Sequence, residues 1–172
     1  MKTPIIIASL ILLTLNAFAQ NPSGKENIPT SSKEFEMEMV KLINDFRKKN
    51  NLNELVWNES LARAARYHAS DMQKDDYFEH ESHDRVGGRL KKTLKTFDRV
   101  RLFADKNLFI NSENIGAGQN SAKEMFEDWK NSAGHRKNML NPTSIYIAVG
   151  YVFIEKDEYQ HYWVMDTAEK KL

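Results

Sequence analysis

Apolar positions along this chain change their period near Pro142. From Lys33, the residues Phe35, Met39, Leu42, Ile43 and Phe46 fall at spacings of four, three, one and three, the single stripe of an amphipathic helix. Asn50-Asn51 ends it. Leu52, Leu55 and Trp57 lead to Asn58, a suitable N-cap, and a second helix follows with Leu61, Ala65, His68, Ala69 and Met72 on one face. Between Tyr77 and Gly88 the chain turns polar and irregular, "YFEHESHDRVGG", and a weaker helical pattern runs from about Arg89 to Phe103. The segment "FINSENIGAG" reads as a strand or loop with a tight turn. Ser121-Ala-Lys-Glu124 is a capping box that opens a helix through Met125, Phe126 and Trp129. A short helical turn comes next and stops at Asn141-Pro142. After it the period drops to two: "IYIAVGYVFI" (Ile145 to Ile154) and "YQHYWVMDTA" (Tyr159 to Ala168) are β-branched and aromatic, and a polar turn at Glu155 to Glu158 joins them. Helices first and paired strands last predict an α+β domain with an antiparallel sheet.

The N-terminal segment follows different rules. Lys2, an apolar run from Ile5 to Leu15 and the small residues of Ala17-Phe18-Ala19 make residues 1–19 a signal peptide cleaved before Gln20. The run is shorter than the roughly 20 apolar residues a membrane span needs, so no transmembrane anchor is expected. Residues 20–32 are rich in Asn, Pro, Ser, Gly and Thr and read as a flexible leader, which leaves 33–170 as the domain. The protein is expected to be secreted or periplasmic. With no cysteine in 172 residues, such a domain relies on its core rather than on disulfides. Lys plus Arg number 25 against 24 for Asp plus Glu, a balance that gives no field for nucleic acid. Lys91-Lys92 and Arg99-Val100-Arg101 read as solvated helix faces.

Five histidines carry most of the candidate chemistry. His68 sits on the apolar stripe of its helix and His161 in an aromatic strand, so both read as structural. His80 and His83, in the polar loop, and His135, at a helix start, are better placed for function. "HESHD" does not make a zinc-protease helix, because its histidines are three apart in a loop and not four apart on one helical face. No G-x-S-x-G elbow and no cysteine nucleophile are present, and Gly116-Ala-Gly118 is a turn without a phosphate-binding lysine. For His135 the helix start and Arg136 both favour neutral imidazole, the state that a metal ligand or a polarising donor needs.

In order, "YFEH" (Tyr77 to His80), "SENIGAG" (Ser112 to Gly118), Trp129 and "NSAGHRKNMLNP" (Asn131 to Pro142) resemble the CAP domain family of cysteine-rich secretory proteins, antigen 5 and pathogenesis-related 1 proteins. "YHASDM", "IAVGY" and "YWVMD" are similar to its second helix and its strands, so the likeness covers about residues 34–168. The resemblance implies an α-β-α sandwich with a central antiparallel sheet, and a cleft holding two histidines and two acids. By position these are His80, His135 and Glu113. The second acid would fall at Ser132, which leaves two imidazoles and one carboxylate. The lack of cysteines resembles a bacterial branch.

His80, His135 and Glu113 are therefore the candidate ligands for a divalent metal such as zinc, weakly held, and with Ser132 they are the candidate cleft residues. The favoured function is a secreted binding module for an extracellular peptide, glycan or lipid. The alternative is a metal-assisted hydrolase that uses a cleft-bound water. With one acid missing, catalysis is the less favoured of the two.

Overall fold

The computed structural model describes residues 22–171, so the signal segment expected at residues 1–19 lies outside the described residues. Element order is α1 (Lys33–Lys49), β1 (Val56–Trp57), α2 (Glu59–Lys74), β2 (Ser82–Val86), β3 (Arg89–Leu94), α3 (Thr96–Phe103), β4 (Leu108–Ala117), α4 (Ala122–Asn131), α5 (Ala133–Met139), β5 (Tyr146–Phe153) and β6 (His161–Lys170). Caps define the main helix starts: the side chains of Ser32, Asn58 and Ser121 accept from the backbone N–H of Phe35, Leu61 and Glu124.

The central sheet runs β1-β5-β6-β4. Its long pairs, β5 with β6 and β6 with β4, are antiparallel as expected. The two-residue β1 adds a parallel edge against Tyr146 and Ile147, too short to leave a periodic signal in the sequence. Alternation along β5 and β6 sorts the side chains into two layers. Ile147, Val149, Tyr151, Trp163 and Met165 face α1 and α4, where they meet Met39, Ile43, Phe126 and Trp129. Ala148, Val152, Tyr162, Val164 and Ala168 face α2 and α3. Ala62, Ala64, Ala65 and Ala69 of α2 are wholly buried, and their small size lets that helix lie close on the sheet. The result is the expected α-β-α sandwich.

Two stretches depart from the sequence expectation. The helical pattern expected from Arg89 holds only from Thr96, because Arg89–Leu94 pairs with Ser82–Val86 as a separate two-stranded hairpin. Its turn is Gly87-Gly88, with φ of 57° and 77°, the left-handed pair that a tight hairpin requires. Lys91 and Lys92 thus lie exposed on a strand, not on a helix face. Residues 22–32, expected as a leader, make specific contacts with the domain. The Ser31 N–H donates to Tyr151 O at 3.1 Å, and Ser31 Oγ accepts from the Phe153 N–H at 2.8 Å. Ile28 packs against the α2 side of the sheet.

Candidate functional site

Glu113 sits on β4, opposite Asp166 of β6, with its side chain turned towards α3 and sealed from solvent. A carboxylate in that position must be compensated, and two groups do so. His80, at the end of the α2–β2 connection, shares a hydrogen bond between Nδ1 and Glu113 Oε1 at 2.8 Å. Arg99, on α3, donates from Nη2 to Glu113 Oε2. Asp166 is 0% exposed and neither of its oxygens receives a hydrogen bond, so as a carboxylate it would be orphaned. Burial first, and then the charge of Glu113, push its pKa well above the usual carboxylate range. Burial thus drives Asp166 towards the neutral acid beside the charge of Glu113.

Arg99 organises the surroundings as well. Its Nη1 donates to His80 O at 2.8 Å and to Ser82 Oγ at 3.3 Å, and Thr96 Oγ1 donates to His80 O at 3.0 Å. The segment carrying His80 is thus pinned to α3 through its backbone and to β4 through its ring. Since Glu113 accepts at Nδ1, His80 Nε2 is left to face the cleft on a side chain that is 49% exposed. Arg99 was expected on a solvated helix face; it is wholly buried. Its burial has a physical cause, because the guanidinium answers Glu113, fourteen residues further along the chain.

His135 enters from α5. Asn138, one turn later on that helix, donates from Nδ2 to Glu113 O at 3.0 Å and to Asn114 Oδ1 at 2.8 Å, and Asn114 Nδ2 donates to His135 O at 3.1 Å. These bonds dock α5 against β4. Trp129 Nε1 donates to Ile115 O at 3.1 Å and fixes α4 beside it, with the Trp129 ring 6.4 Å from that of His135. Gly116 is not part of a turn but a strand residue: a Cβ there would come within 2.1 Å of Met125 Sδ, so the glycine lets α4 close on β4. The pKa of His135 is lowered, in the direction expected, but burial is the main cause and the charge of His80 the second.

His80 and Glu113 are brought together, yet the ligating atoms of His80, Glu113 and His135 do not all fall within 4.8 Å of one another. Ser132 is the shared cap between α4 and α5, and its side chain makes no capping hydrogen bond. A cleft of about 440 Å³ opens beside His80 and Glu113; Thr96, Phe97, Asn111, Ser112 and Asn138 also line it, whereas Ser132 and His135 do not. His68 is buried, with Nε2 3.0 Å from Glu79 O, and His161 Nδ1 meets the Tyr151 hydroxyl at 2.8 Å, both as structural histidines. His83 turns to Glu81 O and packs on the Tyr77 ring, away from Glu113.

Sequence reasoning missed Arg99, Asp166 and Asn138. A signal existed for Asp166, which shares a face of β6 with Tyr162, Val164 and Ala168, so an acid there had to point into the core.

Comparison with known proteins places this geometry in context. The profile of the cysteine-rich secretory protein family (CAP) matches residues 40–167. The uncharacterised protein YkwD of Bacillus subtilis (strain 168) is 35% identical over 136 residues, which is 79% of this chain and 49% of that protein. An uncharacterised membrane protein of the same organism, YlbC, is 30% identical over 117 residues, or 67% of this chain and 31% of its own. The chain thus spans half or less of the length of these relatives. Among solved structures, an extracellular protein containing an SCP domain from Bacillus anthracis is similar with a TM-score of 0.62 and 26% identity, over 78% of this chain and 40% of that one. An outer surface protein of Borrelia burgdorferi shares the fold, with a TM-score of 0.67 and 18% identity, over 84% of this chain and all of that one. No helix among the described residues is long and apolar enough to cross a membrane.

Proposed function

Because the chain belongs to the cysteine-rich secretory protein (CAP) family, we propose that it is a secreted binding module whose cleft takes an extracellular peptide or glycan without chemical change. The observation that carries this reading is the enclosure of Glu113, whose side chain is sealed from solvent with one oxygen held by His80 Nδ1 and the other by Arg99. A general base must bear on a water, and a metal ligand on the ion. Sealed in this way, Glu113 does neither; it is a positioning group that fixes the tautomer of His80 and aims Nε2 outward.

The same enclosure weighs against a three-ligand metal centre. With Glu113 engaged and serine at position 132, a divalent ion such as zinc would find two imidazoles, short of the three protein ligands usual even for open catalytic sites. The cleft lining supports a polar ligand. Apart from Phe97, its side chains are hydrogen-bonding groups of both polarities, suited to amides and hydroxyls more than to an acyl chain.

The test uses the chain from Gln20 onward, screened by thermal shift against oligosaccharide and peptide panels, with hits followed by imidazole resonances in NMR. Binding should shift the His80 ring signals and weaken at least tenfold in His80→Ala and Asn138→Ala, with the fold retained. Ligand affinity untouched by both substitutions would sink the assignment of this cleft. Casein or ester hydrolysis abolished by Glu113→Gln would replace it with the hydrolase.

A further inference from the structure

A second set of acids lies outside the cleft, where α2 meets the β2–β3 hairpin. Asp71 and Asp75 stand one turn apart at the C-terminal end of α2, and Asp84 comes from β2. One carboxylate oxygen from each lies within 4.8 Å of those from the other two. Asp71 and Asp75 are 5% and 8% exposed.

Too few donors serve these oxygens. The Tyr77 hydroxyl donates to Asp71 Oδ2 at 2.5 Å, that of Tyr67 reaches Oδ1 at 3.5 Å, and the Arg85 N–H donates to Asp75 Oδ1 at 3.0 Å. Asp75 Oδ2 and Asp84 Oδ2 are both sealed from solvent and neither accepts a hydrogen bond. Cations nearby are committed elsewhere. The Arg85 guanidinium donates to the carbonyls of Asp75 and Asp76, and Arg99 is held by Glu113. Lys74 brings Nζ to 3.5 Å from Asp75 Oδ2, without hydrogen-bond alignment and on a side chain 73% exposed. The carbonyl end of α2 adds further negative potential. Burial, with Asp84 and Asp75 alongside, pushes the Asp71 pKa up to about 6, against the pull of Tyr77.

We propose that Asp71, Asp75 and Asp84 form a binding site for a calcium-like divalent cation, which clamps the β2–β3 hairpin to the end of α2. An all-oxygen set selects a hard ion, and calcium, which takes about six to eight oxygens in variable geometry and accepts bidentate carboxylates, suits three protein carboxylates better than magnesium, which keeps several waters in a near-octahedral shell. Three carboxylates provide at most six oxygens, so water completes the shell. The clamp goes beyond the cleft reading and is independent of it. Its consequence reaches the cleft all the same, since the segment from Asp75 to Ser82 carries His80 between the two clamped elements.

The experiment uses chelator-treated protein from Gln20 onward, titrated with CaCl2, MgCl2 and Tb3+. Calcium at about 10 mM, above the 10⁻⁴–10⁻³ M affinities of extracellular calcium modules, should raise Tm by several degrees and release heat on titration. Tb3+ should luminesce on tyrosine excitation, given Tyr77 at the site, and calcium should quench that signal. Asp75→Asn and Asp84→Asn should each lose both responses while their ion-free Tm is unchanged or higher. His80→Ala should keep both, which separates this site from the cleft. No heat and no Tb3+ signal, or responses intact in both Asn variants, would overturn the proposal. An equal response to MgCl2 would overturn its calcium selectivity. Should either Asn variant fail to fold, the Tb3+ displacement on the unaltered protein decides.

Discussion

Two groups of buried carboxyls lie within one domain and are treated in opposite ways. Around Glu113 the buried charge is answered directly: Arg99 opposes it and His80 bonds to it, while burial drives the unpartnered Asp166 beside it towards the neutral form. Around Asp71 the acids outnumber their donors, and two sealed oxygens lack any hydrogen bond. The lesson concerns what a buried carboxylate is for. One that is fully answered serves as a fixed strut, here for the orientation of His80. A group of acids left short of partners is under strain until a proton or a cation arrives.

The strongest way to break this comparison is to remove the answer at Glu113. Arg99→Met should cost about 3–5 kcal/mol in urea denaturation, because it strands a buried carboxylate. Glu113→Gln added to Arg99→Met should recover part of that loss, since the amide carries no charge to strand. A cost below about 1 kcal/mol for Arg99→Met would show that Glu113 is solvated, and the strut reading would fall.

Asp166→Asn is expected to act in the opposite direction. The folded-state pKa of Asp166 is raised, so the native protein keeps a proton that the unfolded chain loses above about pH 4. Stability contributed by this group is therefore greatest below that pH and falls as pH rises towards the folded pKa, at up to about 1.4 kcal/mol per pH unit. The groups facing it are Glu113 on β4, Arg99 on α3 and, through Glu113, His80. An amide at this position cannot titrate, so the advantage of Asp166→Asn over the unaltered protein should grow as pH rises above about 4 towards the raised folded pKa. Paired urea curves at several pH values measure that difference; a constant one would mean that Asp166 is ionised in the folded state.

Much of the fold was legible because it is written locally. Ser32, Asn58 and Ser121 cap the helices they precede, and period-two apolar runs become β5 and β6. The hairpin was missed although Gly87-Gly88 announced it, since Leu90, Leu94 and Phe97 happen to fit a helical stripe across the boundary of β3 and α3. His80 stood out by its place in a polar loop, but Glu113, and the meeting of the two, were legible only through resemblance. Arg99 was not, because a charged residue in a helical pattern reads as solvated unless its partner is known. That partner is positioned by sheet pairing, which no local pattern records. The acids at Asp71, Asp75 and Asp84 were passed over for the same reason, as two elements must fold before they meet.

A smaller effect sharpens the other half of the comparison. Without added cation, Asp84→Asn should leave stability unchanged or raise it by less than about 1 kcal/mol, since it removes like-charge repulsion from a half-buried site. A clear loss in thermal unfolding would mean that Asp84 is already well partnered and that the contrast with Glu113 is overstated.

The smallest effect expected is at His135. Its pKa is lowered by burial and by His80, so the folded state resists a proton that the unfolded chain accepts below about pH 6.5. A depressed histidine gives stability that is complete at neutral pH and is lost as pH falls from there towards the folded pKa. His135 is only partly buried, and solvent screening should hold its share to a few tenths of a kcal/mol. His68, wholly buried and with its pKa lowered far more, should dominate the acid side. Replacing His135 with Asn should therefore flatten the stability profile between pH 7 and 5.5 only slightly, as measured by chemical denaturation. If that one substitution removed most of the acid sensitivity, His135 would be sealed inside the domain. It would then be a buried strut like Glu113 rather than a partly exposed group.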